Sequence, residues 1–271
     1  MRILVTGHTG FIGKNLMEWL KQEDEWLIDG WSWDPNNLPD VKNYNWVIHL
    51  GAITDISDAD VDTIIHKNYE FSQWIFNECN KNKVHFQYAS SSAVYGNTNN
   101  FSEFAPCHPQ TPYAWSKYLF DRWVFQQHQN IFVQGFRYFN VYGRYMHTKG
   151  ERADIMYKWR EQAQREGKIT VWSNADRIKR DWVWVGDICR LQIDFIKQVH
   201  GSGIWNVGSG LSHSYYDIAD EISKQEDVPL EFTEPKQTEQ YNTKADLRLL
   251  KSTIGKRKWL NLYEWLDRGI G

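Results

Sequence analysis

Ile3-Leu4-Val5-Thr6-Gly7-His8-Thr9-Gly10-Phe11-Ile12-Gly13 is the stretch whose reading decides the fold. A short apolar run enters a glycine-rich turn, and beyond the turn Ile12, Leu16, Trp19 and Leu20 fall at the i, i+4, i+7, i+8 spacing of one buried helical stripe. Strand, tight turn and helix in this order open a βαβ unit. Gly7, Gly10 and Gly13 let the backbone turn sharply and approach a pyrophosphate, toward which a following helix points its first N–H groups and its positive dipole end.

Working outward, apolar runs at 26–28, 46–50 and 84–89 alternate with helix-period segments, and further runs follow at 133–139 and 203–207. Such runs suit strands buried on both faces, so the chain is expected to be α/β, a Rossmann-type doubly wound parallel sheet with a smaller C-terminal substrate-binding lobe. The dinucleotide-binding domain is expected at 1–143, with 181–210 returning to it. The charged stretches 144–180 and 211–271 are expected to form the substrate lobe. Acidic and basic residues nearly cancel, 34 against 31 for a net charge of −3, so bulk charge gives no reason to expect nucleic acid or an acidic membrane as partner. The start of the chain lacks a signal-peptide pattern and no run reaches the length of a membrane helix, which predicts a cytoplasmic protein. Cys79, Cys107 and Cys189 follow neither a disulfide nor a metal-ligand spacing, so no metal site is expected.

Two further patterns carry chemistry. Dinucleotide sites commonly place an acid about 20 residues beyond the turn to bind the adenosine ribose diol. Here that place reads Gly30-Trp31-Ser32-Trp33. Ser32 suits a 2′-phosphate, which tilts the reading slightly to NADP, but no basic residue stands beside it and Asp34 could turn in; NAD and NADP both stay open. Tyr113-Ala114-Trp115-Ser116-Lys117 then sets a phenol and an ammonium on one helix face. By itself the pair reads as an exposed helix face. Context reverses this, because Gln87-Tyr88-Ala89-Ser90-Ser91 leads a strand into hydroxyls at the sheet's carboxyl edge, where Ser91 can bond a reacting oxygen. A cation beside Tyr113 is expected to favour its phenolate and make it a base near neutral pH.

The glycine turn, the strand at 47–52, Ser91, Tyr113 with Lys117, Phe136-Arg137-Tyr138-Phe139-Asn140-Val141-Tyr142-Gly143, Arg180-Asp181-Trp182-Val183-Trp184-Val185-Gly186-Asp187 and Asn206-Val207-Gly208-Ser209-Gly210 occur in this order. Together they resemble the extended short-chain dehydrogenase/reductase family of nucleotide-sugar epimerases and dehydratases, over nearly the whole chain. The loop with His147 and Lys149-Gly150, followed by Lys179-Arg180-Asp181, is most similar to the branch that epimerises ADP-linked heptoses. The resemblance implies that Ser91 and Tyr113 face the reacting alcohol, that Lys117 and Asn68 hold the cofactor, and that Lys149 is a second acid/base. It also implies cofactor contacts at Gly7, Gly10, Phe11, Ile12, Gly13, Ser32, Leu50, Gly51, Ala52, Thr54 and Val141. Asn140, Trp172, Ser173, Asn174, Arg180 and Tyr241 would line the nucleotide-diphosphate end of the substrate, where the planar donor fork of Arg180 suits phosphate oxygens. An ion pair with Asp181 or Asp187 is the plainer expectation for that arginine.

The chain departs from the pattern in two places. The dehydratases carry Asp-Glu where this chain has Ser92 and Ala93, which excludes dehydration, and the segment 34–45 is too short for the strand and helix that relatives insert there. The expectation is therefore a nucleotide-sugar epimerase using NAD(P), paired as a homodimer or higher oligomer through helices at 61–80 and 113–128. A keto-sugar reductase, a UDP-sugar 4-epimerase and a non-catalytic nucleotide-binding module are the alternatives.

Overall fold

The computed structural model describes residues 1–54, 60–238 and 240–268, with the backbone alone at 151 and 152. The opening run is β1 (Arg2–Thr6), followed by α1 (Phe11–Leu20), β2 (Leu27–Trp31) and β3 (Trp46–His49). Next come α2 (Val61–Ile65), a π-helical stretch at His66–Glu70, α3 (Phe71–Lys81) and β4 (His85–Ser91). A 3-10 turn at Ser92–Tyr95 leads to α4 (Pro112–Val124), β5 (Val133–Tyr138) and β6 (Asn140–Tyr142). After a 3-10 stretch at Met146–Arg152 the chain forms α5 (Ile155–Glu166), β7 (Ile169–Trp172), β8 (Lys179–Arg180), β9 (Trp182–Trp184), α6 (Val185–Gln198) and β10 (Gly203–Val207). It ends with β11 (His213–Ser214), α7 (Tyr215–Glu226), β12 (Leu230–Thr233), α8 (Arg248–Ile254) and α9 (Leu262–Asp267).

Six strands make one sheet in the order β10-β5-β4-β3-β1-β2, every pair parallel. The expected α/β sheet is therefore present, and each apolar run read from the sequence supplies one of its strands. β3 and β5 are buried at every position because helices cover both faces. β2 is one edge of the sheet, opposite β10, with Leu27 66% exposed, since 34–45 adds neither strand nor helix. The strand order reverses between β1 and β3, and ligand crevices open beyond the carboxyl ends of strands at such a point. A second apolar core lies among Met156, Trp159, Ile169, Val171, Ile218, Ile222 and Leu262, around α5, α7, α9 and the paired β7 and β12. No described helix is long and apolar enough to cross a membrane.

Close approach governs the first turn. Gly7 has φ +73°, and a Cβ there would stand 2.6 Å from the Gly51 nitrogen, so the ends of β1 and β3 meet only because residue 7 has no side chain. A Cβ at Gly13 would lie 2.2 Å from the Gly7 carbonyl oxygen, so Gly13 serves helix-to-turn packing.

A chain of hydrogen bonds ties the same strands to the π-helical stretch. Thr6 Oγ1 and His49 Nδ1 are 2.6 Å apart, His49 Nε2 and Ser72 Oγ are 2.9 Å apart, and Ser72 Oγ donates to the Asn68 carbonyl at 2.6 Å. Ser72 has one proton and gives it to Asn68, so His49 Nε2 donates and Nδ1 accepts from Thr6. The ring is thus held neutral, and burial foremost, with Lys117 adding, lowers its pKa to about 3. Because the folded value lies below the ordinary 6.5, this contribution is present above pH 6.5 and is lost as pH falls toward 3, by about 5 kcal/mol in all. In urea titrations from pH 7 to 3.5, wild type should lose stability faster than His49→Gln; parallel pH dependences would contradict this reading of the relay.

Candidate active site

Thr111 caps α4 by accepting from the Ala114 nitrogen at 3.2 Å, and Pro112 occupies the first helical turn. This start places Tyr113 in the first turn and Lys117 one turn on. Lys117 is only 6% exposed and its Nζ donates to the Ala89 carbonyl at 2.9 Å, which pins the ammonium against the end of β4. Ser91 closes β4, accepts from the Ala93 nitrogen at 3.1 Å and is hydrogen-bonded to the Tyr113 hydroxyl.

The electrostatics differ from expectation in one respect. Lys117 Nζ stands 6.0 Å from the Tyr113 ring centroid, yet the phenol pKa is raised above its ordinary value. Burial is the main cause, opposed by the Ser91 bond and reinforced by Asp121. A phenolate here would lose more hydration than one neighbouring cation restores. Burial also lowers Lys117 to about 8, with Asp121 opposing. Asp121 sits beneath both groups and accepts from Tyr88 Oη, Ser90 Oγ and Arg137 Nε, each at 2.9 Å, while Arg137 also donates to Tyr95 Oη at 3.0 Å.

Ser91, Tyr113, Lys117 and Lys149 all line one cavity of about 490 Å³. Phe11, Ile12, Leu50, Ala52, Thr54, Asn140, Val141 and Arg180 line it too, so a glycine-turn helix, three strand ends and the 3-10 stretch at Met146–Arg152 converge on one space. Arg180 is not ion-paired to either acid among the described residues: it donates to the Lys179 carbonyl and the Thr238 hydroxyl, while Asp181 is taken by Ser209, Gly210 and Ala245, and Asp187 by Arg190 and Leu260. The ion-pair alternative for it is thereby not found among the described residues.

Four expected substrate contacts stand outside this cavity. Trp172 lies under Lys236, 4.0 Å from the ring centroid, Ser173 donates its backbone N–H to Thr233, and the Asn174 amide bonds both backbone groups of Lys236. These residues close the loop after β7. Tyr241 is exposed and accepts from the Lys179 nitrogen through its carbonyl. Asn68 is likewise no lining residue: its amide clamps both backbone groups of Ile53 at 2.7 and 2.8 Å and reaches Ser116 Oγ at 3.2 Å, so it positions the loop after β3.

A second cleft of about 420 Å³ adjoins the first at Leu50 and Ala52 and contains Gly7, Gly10, Gly51 and Ser32. Gly10 offers α1 no side-chain cap, so the first N–H groups of that helix face the cleft without a side-chain acceptor, which suits a diphosphate. The residues present therefore fit a dinucleotide. Sequence reasoning missed Asp154, Tyr215 and Gln240 in the first cavity and Lys67, Trp31, Trp33 and Phe71 in the second. Asp154 also caps α5, accepting from the Met156 nitrogen and Trp182 Nε1, each at 3.0 Å, which is all its local sequence signals.

Burial of Lys117 has a measurable consequence. Its folded pKa is below the ordinary 10.5, so folding disfavours the charged form, and wild type gains about 3 kcal/mol relative to Lys117→Met as pH rises from 8 to 10.5. Denaturant midpoints across that range check this, and a constant difference contradicts it.

The sequence pattern of the NAD dependent epimerase/dehydratase family matches residues 3–208. An ADP-L-glycero-D-manno-heptose-6-epimerase of Thiobacillus denitrificans is 30% identical over 80% of this chain and 75% of its own length. One of Brachyspira hyodysenteriae is 28% identical over 96% and 94%. The crystal structure of the Helicobacter pylori enzyme of that name superposes with a TM-score of 0.88 at 21% identity, covering 98% of this chain and 94% of the other. With the glycine turn, the Tyr113–Lys117 pair and the reversal of strand order already in view, the chain belongs to the NAD dependent epimerase/dehydratase family.

Proposed function

We propose that this protein is an NAD(P)-dependent nucleotide-sugar epimerase acting on an ADP-linked heptose or a close relative of it. The carrying observation is that Tyr113 and Lys149, a hydroxyl and an amine from different segments, line one cavity beside the diphosphate turn. The two named relatives support the sugar class. The stretches 144–180 and 211–271 form the substrate lobe in this reading, and 1–143 with 181–210 the dinucleotide domain. The described cysteines are all free thiols, in keeping with a reducing cytoplasmic setting.

The first N–H groups of α1, with Gly7 and Gly10, would hold the diphosphate of the dinucleotide, and Lys117, through the donors that Ala89 leaves over, its nicotinamide ribose. A bound nicotinamide supplies the acceptor and later the donor of a hydride. Tyr113 withdraws the proton of the substrate hydroxyl, and Ser91 holds that oxygen in line. Arg180 binds the substrate diphosphate, which leaves the sugar free to turn its other face once its reacting carbon is a carbonyl. Tyr113 returns that proton to the oxygen, or Lys149 gives one and is then re-protonated from solvent as Tyr113 releases the one it took, so the product differs from the substrate in configuration alone and no net oxidation occurs. The raised phenol pKa has a role here: Tyr113 keeps its proton until positive charge reaches the cavity, and it re-protonates readily when that charge is gone.

Tyr113→Phe should lower kcat by about 10³-fold or more and leave dinucleotide affinity within a few-fold. Lys149→Ala should cost about 10²-fold in epimerisation with binding intact, measured by separating the two epimers chromatographically. Full activity in either variant contradicts the role given to that residue. The exposed Val61 and Trp115, 54% and 46% accessible, suit pairing of two copies through α2–α3 and α4; light scattering should give a dimer or larger, and a monomer removes that part of the proposal.

A further inference from the structure

We infer that a cleft beside α8, separate from the catalytic cavity, is a binding site for a sugar that carries one phosphate group. The cleft has a volume of about 750 Å³, ample for such a ligand, and among the described residues it shares no lining side chain with the cavity that holds Tyr113 and Lys117. The site goes beyond the epimerase reading and does not depend on it.

Cations outnumber acids in the lining. Lys244, Arg248 and Lys251 stand there against Asp246 alone. Arg248 and Asp246 satisfy each other: Arg248 Nε lies 3.0 Å from both carboxylate oxygens, and Nη2 donates to Oδ2 at 2.6 Å. That leaves Lys244 and Lys251, both exposed, and neither is in an ion pair among the described residues. Glu103, whose charge also reaches Arg248, lies outside the cleft and accepts from the Asn206 nitrogen at 2.8 Å. Two ammoniums in one cleft without a carboxylate of their own attract an anion, and as point charges they take a phosphate oxygen from any direction.

The neutral groups beside them are donors too. Asn100 Oδ1 accepts from the Ser102 nitrogen at 3.1 Å and Asn242 Oδ1 from Ser212 Oγ at 2.7 Å, so each amide keeps its N–H donors for a ligand. Both amides line the cleft, with Asn99 exposed next to them. Such donors suit sugar hydroxyls. A nucleotide fits less well, because Phe101, the aromatic residue of the lining, is only 5% exposed and offers no ring face for a base to stack on.

The floor is fixed before a ligand arrives. The Gly210 and Ala245 nitrogens each donate to Asp181 Oδ2 at 2.9 Å. Asn206 Nδ2 bonds the Phe101 carbonyl at 2.6 Å and the Asp246 carbonyl at 3.1 Å, so one asparagine of β10 ties the two walls of the cleft together. Binding there orders little backbone, which favours affinity for a small ligand.

The test is calorimetric titration of the purified chain in phosphate-free buffer with glucose 6-phosphate, inorganic phosphate and glucose as probes. Glucose 6-phosphate should bind with a Kd of about 1 mM or tighter, about 5-fold or more below that of inorganic phosphate, and should weaken as salt is raised, while glucose gives no binding. The double substitution Lys244→Gln, Lys251→Gln should weaken the ester by about 10-fold, with urea midpoints at the wild-type value to report an intact fold. Arg180→Gln, which alters the catalytic cavity alone, should leave this binding within about 2-fold. Absence of binding to wild type overturns the inference, as does a double variant that binds like wild type. Binding that Arg180→Gln abolishes overturns it too, since the ester then sits in the catalytic cavity, and inorganic phosphate binding as tightly as the ester removes the sugar from the proposal and so contradicts it.

Discussion

One buried carboxylate sets the charge balance of the whole reaction centre. Asp121, 1% exposed, lies one helical turn below Lys117 and directly against Arg137, itself 5% exposed. A buried ion pair stabilises little by itself, because desolvation consumes most of the attraction. Its value here is positional. Asp121 accepts from Tyr88, Ser90 and Arg137, so α4 is fixed to β4 and β5, and the same charge resists the loss of the Lys117 proton. Arg137 carries the network onward through Tyr95 to Asn206 of β10. Four elements are thereby locked under Tyr113 before any ligand arrives.

The geometry above that network follows from two constraints. The ends of β1 and β3 approach closely at Gly7 and Gly51, beside which the cleft of the glycine turn opens, and Asn68 holds Ile53 at its rim. The chain after β6 then crosses the cavity, where Lys149 and Asp154 join Arg180. Burial raises the Asp154 carboxyl, and its bonds to Met156 and Trp182 lead the opposing influences, with Lys149 and Arg180 adding to them. Charged side chains of both signs therefore converge opposite a phenol that burial keeps protonated.

The fold was legible because its signal is local and periodic. Each buried strand is a short apolar run, and the glycine turn has one compact explanation, so the order of elements followed from the chain itself. The hydroxyl–phenol–ammonium set was legible for a similar reason, since Tyr113 and Lys117 share one helix and Ser91 ends one strand. Residues that depend on long-range closure were not. Lys67 and Asp154 reach their clefts from elements whose placement no spacing reveals, and the π-helical turn at His66–Glu70 has no pattern of its own. Trp172, Ser173 and Asn174 show the converse: they occupy the expected place in the sequence, yet their bonds to 233 and 236 turn them to loop closure. The expected lowering of the Tyr113 pKa failed because proximity to a cation was weighed without the cost of burial.

The account claims that hydride leaves and re-enters the same carbon inside one cavity. The most direct test uses a nucleotide-linked heptose carrying deuterium at the carbon that inverts, converted in ordinary water with excess unlabelled dinucleotide present. The account predicts that the product keeps its deuterium in full by mass spectrometry. Deuterium appearing in the added dinucleotide or in water contradicts it.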